Sequence, residues 1–373
     1  MQIALASITI ISALLFLYPY VIYPMVVRMM PRVPVQFSEA DIRFSLLFCA
    51  YNEHANIKEK IANLEALKQL YPSLEILAYD DDSSDDTGAV LESRSDILTV
   101  IRGKGRNGKA HGMKLLAARA KGDVLVFTDA NVILQTDALE SLRKYYGDPA
   151  VGGVLGSLRY TGEGESATAA VGSLYWRLEE RLKDLESRCG NVMGADGSIF
   201  SVRRTLYPEF PDTVLDDMAV SMAVVFAGKR LIKARDVIAY EHLVSARADE
   251  FRRKTRIAAR AWHTHSYLRT QLRSMSALDR FKYVSRKYLR WFGGLFLVIG
   301  VVGAGLFICT LSIWMLGGYV FTLIILGMVG LLVRTGPFAA ITDALLAYVA
   351  TLIGLFRAMG GRTMSTWNPA QSR

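Results

Sequence analysis

The sequence predicts an α/β fold: a doubly wound, mostly parallel sheet with helices on both faces, flanked by one N-terminal and two to three C-terminal transmembrane helices. Two observations predict it. From Arg43 onward, short continuous apolar runs alternate with turns and amphipathic stretches, the pattern of strands buried on both faces. Before and after that region lie charge-free stretches long enough to cross a bilayer.

The N-terminal stretch Ile3 to Val27 carries no charge, and Arg28 and Arg32 follow it. None of the basic start, short apolar core and small-residue cleavage site of a secretory leader is clear in it, which leaves a cleaved leader as the lesser alternative. It therefore reads as a membrane helix within residues 1–30, with the downstream domain cytoplasmic by the positive-inside rule. In the soluble part, FSLLFCA reads as a first strand followed by a helix through Ile57–Leu70, LEILAYD as a second strand, ILTVIR as a third and DVLVFTD as a fourth. This soluble domain is assigned to 43–275. Residues 277–291 read either as an amphipathic interfacial helix or, through Tyr283, Tyr288 and Trp291, as an aromatic belt. Within 292–357, the stretch Trp291 to Val333 is too long for one crossing; a break near Leu311–Trp314 gives two helices and returns Arg334 to the cytoplasmic side. A further segment, Phe338 to Phe356, contains Asp343 and precedes Arg357 and Arg362. A full crossing there would break the positive-inside rule, so it is either re-entrant or an exception. Asp343 is a functional candidate if it lies in the membrane, or an interfacial residue if it lies near a helix end.

The 373 residues carry a formal net charge of +9, 51% hydrophobic residues and a mean hydropathy of +0.23. Basic residues cluster beside the apolar spans and are not interleaved with aromatics, which points to membrane lipids and phosphate-bearing substrates and away from nucleic acid. The three cysteines, Cys49, Cys189 and Cys309, have neither disulfide nor zinc spacing, which fits a reducing compartment.

Polar residues fall at the carboxyl ends of the expected strands, where open α/β sheets bind ligands. Asn52 and Glu53 follow the first strand, Asp80 to Asp82 the second, and Asp129 and Asn131 the fourth. A single acidic strand end is ordinary turn chemistry, but several meeting in one crevice call for a cation. Gly103 to Ala110 formally matches both a dinucleotide fingerprint and, but for Ala110, a P-loop. It follows the third strand, Asp123 begins a strand where the fingerprint's acidic residue ends one, and Ala110 cannot ligate Mg2+. Lys104, Arg106 and Lys109 are better read as contacts to a donor's phosphates. The five histidines show no metal-ligand spacing.

In order, CAYNE, YDDDSSDDT, NGKA, FTDAN, GADGSIFSVRR, LDDM and RRKTRIAAR resemble the motifs of the inverting family 2 glycosyltransferases. That group has a GT-A fold and includes hyaluronan, chitin and cellulose synthases and bacterial exopolysaccharide enzymes. The resemblance spans roughly Phe44 to Arg260. It implies donor contacts from Ala50, Tyr51, Glu53, Asp80, Asp81, Lys109, Asp129 and Arg256. It places Asp129 and Asn131 at the metal motif for Mg2+ or Mn2+, with Asn131 standing where a second Asp is usual. Asp217 becomes the general base with Asp216 beside it; read alone, this pair would only cap the helix that follows. Gly194, Asp196 and Arg203 fall on the acceptor side, and Trp262 stands five residues beyond Ile257, which replaces the Trp of the processive enzymes' Gln-x-x-Arg-Trp motif. Arg253 replaces its Gln, and Lys114 replaces an Asn common after the GKA segment.

The implied activity is metal-dependent, inverting transfer from a nucleotide sugar, a UDP-sugar by resemblance alone, to a growing polysaccharide or glycan at the cytoplasmic membrane face. Single-sugar transfer to a membrane lipid, as in ceramide glucosyltransferase-like enzymes, is the competing reading, and a non-catalytic nucleotide-sugar-binding module the third. The implied location is an integral membrane one, the inner membrane if the source is bacterial.

Overall fold

The computed structural model describes all residues except 163–165, 244–245, 334–335 and 362–373, so Arg334 and Arg362 lie outside the described residues. Eight strands form one sheet: β1 (Phe44–Ala50), β2 (Glu75–Asp80), β3 (Thr99–Arg102), β4 (Val124–Asp129), β5 (Ile133–Leu134), β6 (Val151–Thr161), β7 (Ile199–Arg203) and β8 (Arg230–His242), in the order β3-β2-β1-β4-β7-β6-β8-β5. Successive side chains of a strand point to opposite faces. In β1, Leu46 and Phe48 join Ile57, Ile61 and Leu64 of the helix His54–Leu70 on one face. Leu47 and Cys49 join Met113 and Leu116 of the helix Lys109–Arg119 on the other. Both layers of the expected α/β sandwich are therefore present.

The first four strands are parallel, as expected, but the sheet is mixed beyond them: β7 runs antiparallel to β4 and β6, β8 runs parallel to β6, and β5 is antiparallel to β8. This mixture positions the site. Because β7 is antiparallel, its first residue Ile199 pairs with Thr128 at the far end of β4, which sets the loop before β7 beside Asp129. By the same logic β5 pairs Ile133 with Tyr240, which brings Asn131 to the end of β8.

Three helices are long and apolar enough to cross a membrane: Gly293–Leu311, Ile313–Leu332 and Gly336–Met359. The break between the first two falls at Ser312, within the interval expected from the sequence. The N-terminal stretch is not one straight helix. Gln2–Leu17 and Ile22–Met29 meet at 54°, and Pro19 lies in the intervening turn, where its missing N–H and ring forbid continuation of the first helix.

Segment 277–291 is the helix Ala277–Tyr283 followed by a π-type turn and a last short turn, and one face of it is committed to the α/β domain. Lys282 is buried and donates to the carbonyls of Glu186 and Asn191, both at 3.1 Å. It thereby adds a second donor to the Glu186 carbonyl, which also accepts the Cys189 amide at 3.2 Å in the last turn of the helix Ala167–Arg188, and gives the Asn191 carbonyl beyond that helix a donor. Arg286 is fully buried, ion-paired to Glu179 and, at 2.5 Å, to Glu186, which also accepts the Tyr23 hydroxyl at 2.6 Å. Arg290 closes on the other Glu179 oxygen at 2.5 Å. Together these bonds tie the chain entering the C-terminal apolar helices to the N-terminal helix pair and to Ala167–Arg188. A second tie is Asp343, buried and paired with Arg247 and with the Thr168 hydroxyl at 2.7 Å.

Removing only the cation of the first tie leaves two buried carboxylates without their main partner. Arg286→Met is expected to cost about 3–5 kcal/mol, read as a large drop in the thermal unfolding midpoint in detergent. Combining it with Glu179→Gln and Glu186→Gln is expected to recover much of that loss.

Candidate active site

The site lies at the carboxyl ends of β1, β2 and β4. The chain leaves β1 through Asn52 and β2 through Asp82, both at positive φ (51° and 62°), a conformation Asn and Asp accept more readily than other side-chain-bearing residues. The two exits are laced together. Asn52 Oδ1 accepts from the Ser84 amide at 2.8 Å, the Glu53 amide donates to Thr87 Oγ1 at 2.9 Å, and the Asp81 amide donates to the Ala50 carbonyl at 2.9 Å. The Arg106 guanidinium stacks 3.4 Å over the Tyr51 ring.

Asp80 and Asp81 are both fully buried and do separate jobs. Asp80 accepts from the Ser83 hydroxyl at 2.5 Å and from Arg102 at 3.4 Å. Asp81 accepts the backbone amides of Asn107 at 2.8 Å and Gly108 at 3.0 Å. Those amides are the ones a P-loop or dinucleotide loop would turn toward phosphate; here a carboxylate of the same chain uses them. Gly108 has φ of 92°, open to glycine without strain, and the helix Lys109–Arg119 starts directly after it.

That start delivers Lys109 to the centre of the site. Its ammonium donates to Asp129 Oδ1 at 2.5 Å and lies 3.9 Å from Asp216 Oδ2. Burial disfavours the Lys109 charge, but Asp129, Asp216 and Asp217 outweigh it and raise the pKa. Asp216 and Asp217 open the helix Asp216–Phe226, where the N-terminal dipole favours negative charge. The Val214 carbonyl and Leu215 amide just before it are held by Arg260 at 2.5 Å and by the Thr264 hydroxyl at 2.8 Å. Burial, then the neighbouring Asp216 charge, pushes the Asp217 carboxyl up to about 7 against the opposing pull of Lys109. A Cβ placed on Gly197 would lie 2.7 Å from Lys109 Nζ, 3.5 Å from Asp129 Oδ2 and 3.6 Å from Asp217 Oδ2. Glycine at 197 thus leaves the space in which these groups converge.

On the expected acceptor side, Gly194 takes φ of 87°, and Asp196 accepts from the buried Lys183 at 2.6 Å, which, against the effect of burial, holds its carboxyl below the usual range. Arg203 turns away from the crevice and donates to the carbonyls of Val151 and Tyr146, each at 2.8 Å. Trp262 is half-buried among the rings of His265, Tyr288, Trp291 and Phe292, with centroids 5.4–6.3 Å away. Arg253 and Arg256 lie on the same helix, Arg247–Tyr267; Arg253 pairs with Glu250 at 2.8 Å.

Among the described residues, no three His, Cys, Asp or Glu side chains gather as a cation site, and Lys109 neutralises Asp129 instead. The residues still suit a hard divalent cation. Asp129 offers a carboxylate, and Asn131 spends its amide nitrogen on Glu241 at 3.1 Å, leaving its oxygen as an acceptor; oxygen donors of this kind suit Mg2+ or Mn2+. Sequence reasoning missed Gly197, Lys183 and Glu241. The GADGS motif contained the first without a reason for its size. The other two carry no local signal, since their partners lie far along the chain.

The sheet, with this crevice at its strand ends, has the GT-A fold of glycosyltransferases. The family profile described as glycosyl transferase family 2 matches residues 45–210. Among solved structures, the chain resembles the mannosyltransferase PcManGT from Pyrobaculum calidifontis in complex with GDP-Man and Mn2+, at 21% identity and a TM-score of 0.73 over 94% of this chain and 99% of that one. It also matches S. aureus TarS 1–349 in complex with UDP-GlcNAc, at 14% identity and a TM-score of 0.46 over 86% of this chain and 92% of that one. GalNAc-T7 with UDP, GalNAc and Mn2+ matches at 14% identity and a TM-score of 0.40 over 54% of this chain and 43% of that one. No curated protein sequence matches the chain.

Gly197→Ala tests the convergence. Its methyl meets the far end of a flexible side chain, so folding is expected to survive while Lys109 is driven from Asp129. Turnover should fall at least roughly tenfold, one decade per 1.36 kcal/mol of lost stabilisation, with a thermal midpoint close to that of the parent.

Proposed function

We propose that this glycosyltransferase performs inverting, metal-dependent sugar transfer from a nucleoside-diphosphate donor to a polysaccharide or glycan acceptor at the cytoplasmic membrane face. The observation that carries the reading is the Asp217 carboxyl, raised to about 7 beside Asp216 and within the convergence at Gly197. A base of that strength is matched to neutral pH. The acceptor oxygen attacks the anomeric carbon as the bond from that carbon to the diphosphate oxygen breaks on the opposite face. The hydroxyl proton passes to Asp217, and the nucleoside diphosphate departs with the bonding pair. Lys109 and Arg256 meet the negative charge that develops on it. The nucleoside end is assigned to the pocket of Ala50, Tyr51 and Glu53 over Asp80 and Asp81, and the acceptor to Gly194, Asp196 and Trp262.

Asp129 and Asn131 would hold the divalent cation. When bound, it neutralises diphosphate charge, and Lys109, released from Asp129, is then free to turn to the phosphates.

The third apolar helix is read as lying along the membrane surface. Phe338, Ile341, Leu345, Val349 and Phe356 form an exposed apolar stripe, while Gly354 packs against Thr255, Ala258 and Ala259 of the polar helix Arg247–Tyr267. A helix as charged as that one does not belong in hydrocarbon. This leaves few crossings for a secretion channel and, with Ile257 in place of Trp, favours a second reading, transfer of a single sugar to a lipid acceptor. Product length separates the two readings, because one sugar per lipid rules out polymerisation.

The central test is nucleoside-diphosphate release over a panel of UDP- and GDP-sugars with Mg2+ or Mn2+. Asp217→Asn is expected to lower kcat by about 10²–10⁴-fold without unfolding the protein; unchanged turnover would remove Asp217 from the mechanism. The base works deprotonated, so the rate should fall as pH drops through its pKa. Because bound cation lowers that pKa, the acid limb is expected at or below about pH 7.

A further inference from the structure

We propose that Glu241 is the positioning residue that makes asparagine the correct ligand at position 131. The departure from the usual Asp-x-Asp is then a matched exchange with a carboxylate supplied by β8. The inference rests on the reading of Asn131 as a cation ligand.

Glu241 is 8% exposed at the end of β8, opposite Tyr160 of β6. Its Oε1 accepts the Asn131 amide at 3.1 Å, and its Oε2 accepts the Ser198 hydroxyl at 3.4 Å. One side chain thereby ties the metal motif at the end of β4 to the loop whose Gly197 faces Lys109, Asp129 and Asp217. The amide bond also decides which end of the carboxamide is used. The nitrogen is spent on Glu241, so the oxygen is the end left for a cation.

An aspartate at 131 would set two carboxylates about 3 Å apart in a largely buried place, and like charges at that distance cannot both ionise freely. Arg253, held mainly by Glu250, also feels Glu241, so the glutamate already has a cationic neighbour in addition to its hydrogen bonds. What a second carboxylate would lack is a donor, and Asn131 supplies it.

Four proteins test this in detergent: the parent, Asn131→Asp, Glu241→Gln, and the double variant. Mn2+ alone is titrated by the loss of its free paramagnetic resonance signal, and thermal midpoints are taken without metal. Asn131→Asp, although it restores the usual motif, is expected to bind Mn2+ roughly fivefold or more weakly and to melt lower. Glu241→Gln keeps an acceptor oxygen and should stay near the parent. The double variant exchanges the two roles, with an amide on β8 donating to a carboxylate in the metal motif. It should recover both affinity and midpoint, a coupling within the range seen for residues in contact. Tighter Mn2+ binding by Asn131→Asp alone, or additive effects in the double variant, would overturn the proposal. If the parent takes up no Mn2+, the cation reading fails. The pairing is then decided by the midpoints, where equal melting of the parent and Asn131→Asp would overturn it.

Discussion

The ammonium of Lys109 is the interaction on which the site depends. Asp129, Asp216 and Asp217 come from two segments far apart in the chain and converge in a partly dry crevice, where their mutual repulsion is weakly screened. Lys109, 2.5 Å from Asp129 and 3.9 Å from Asp216, compensates that repulsion while leaving Asp217 raised to about 7. The same cation explains how the carboxylates stay assembled before any substrate arrives, and why the approach of a cation or a diphosphate would redistribute charge throughout the site.

Holding these groups together needs backbone as much as charge. Asp81 fixes the turn before Lys109 through the amides of Asn107 and Gly108. Arg260 and Thr264 fix the start of the helix that carries Asp216 and Asp217. The antiparallel β7 brings Gly197 to the end of β4, and the pairing of β5 with β8 brings Glu241 to Asn131. Each device links elements distant in sequence, so the site is a product of the sheet order.

The catalytic domain is joined to the apolar helices by buried charge. Arg286 between Glu179 and Glu186, with Tyr23 on the same carboxylate, costs desolvation that a hydrophobic contact would not. It also fixes one register, since a displaced Arg286 would leave buried Glu186 without a cation and Glu179 with Arg290 alone. Asp343 with Arg247 and Thr168 acts similarly at the other edge. The sequence leaves it either intramembrane or interfacial, and its partners Arg247 and Thr168 place it against the α/β domain.

The sequence by itself determined the α/β class, the first four strands, the break between the C-terminal apolar helices, and the resemblance to family 2 glycosyltransferases through the order of its motifs. These are local properties: apolar runs, turn residues and spacing. Asp129 and Asp217 were legible because each sits inside such a motif. Only the tertiary structure decided that the sheet becomes mixed beyond β4, that Pro19 bends the N-terminal stretch, and that Lys109 lies among the carboxylates. It alone supplied Glu241, whose partner Asn131 is 110 residues away. A lone glutamate at a strand end has no pattern to announce it. Its role comes from register, and strand register between distant segments is a property of the whole sheet that no local window of sequence contains.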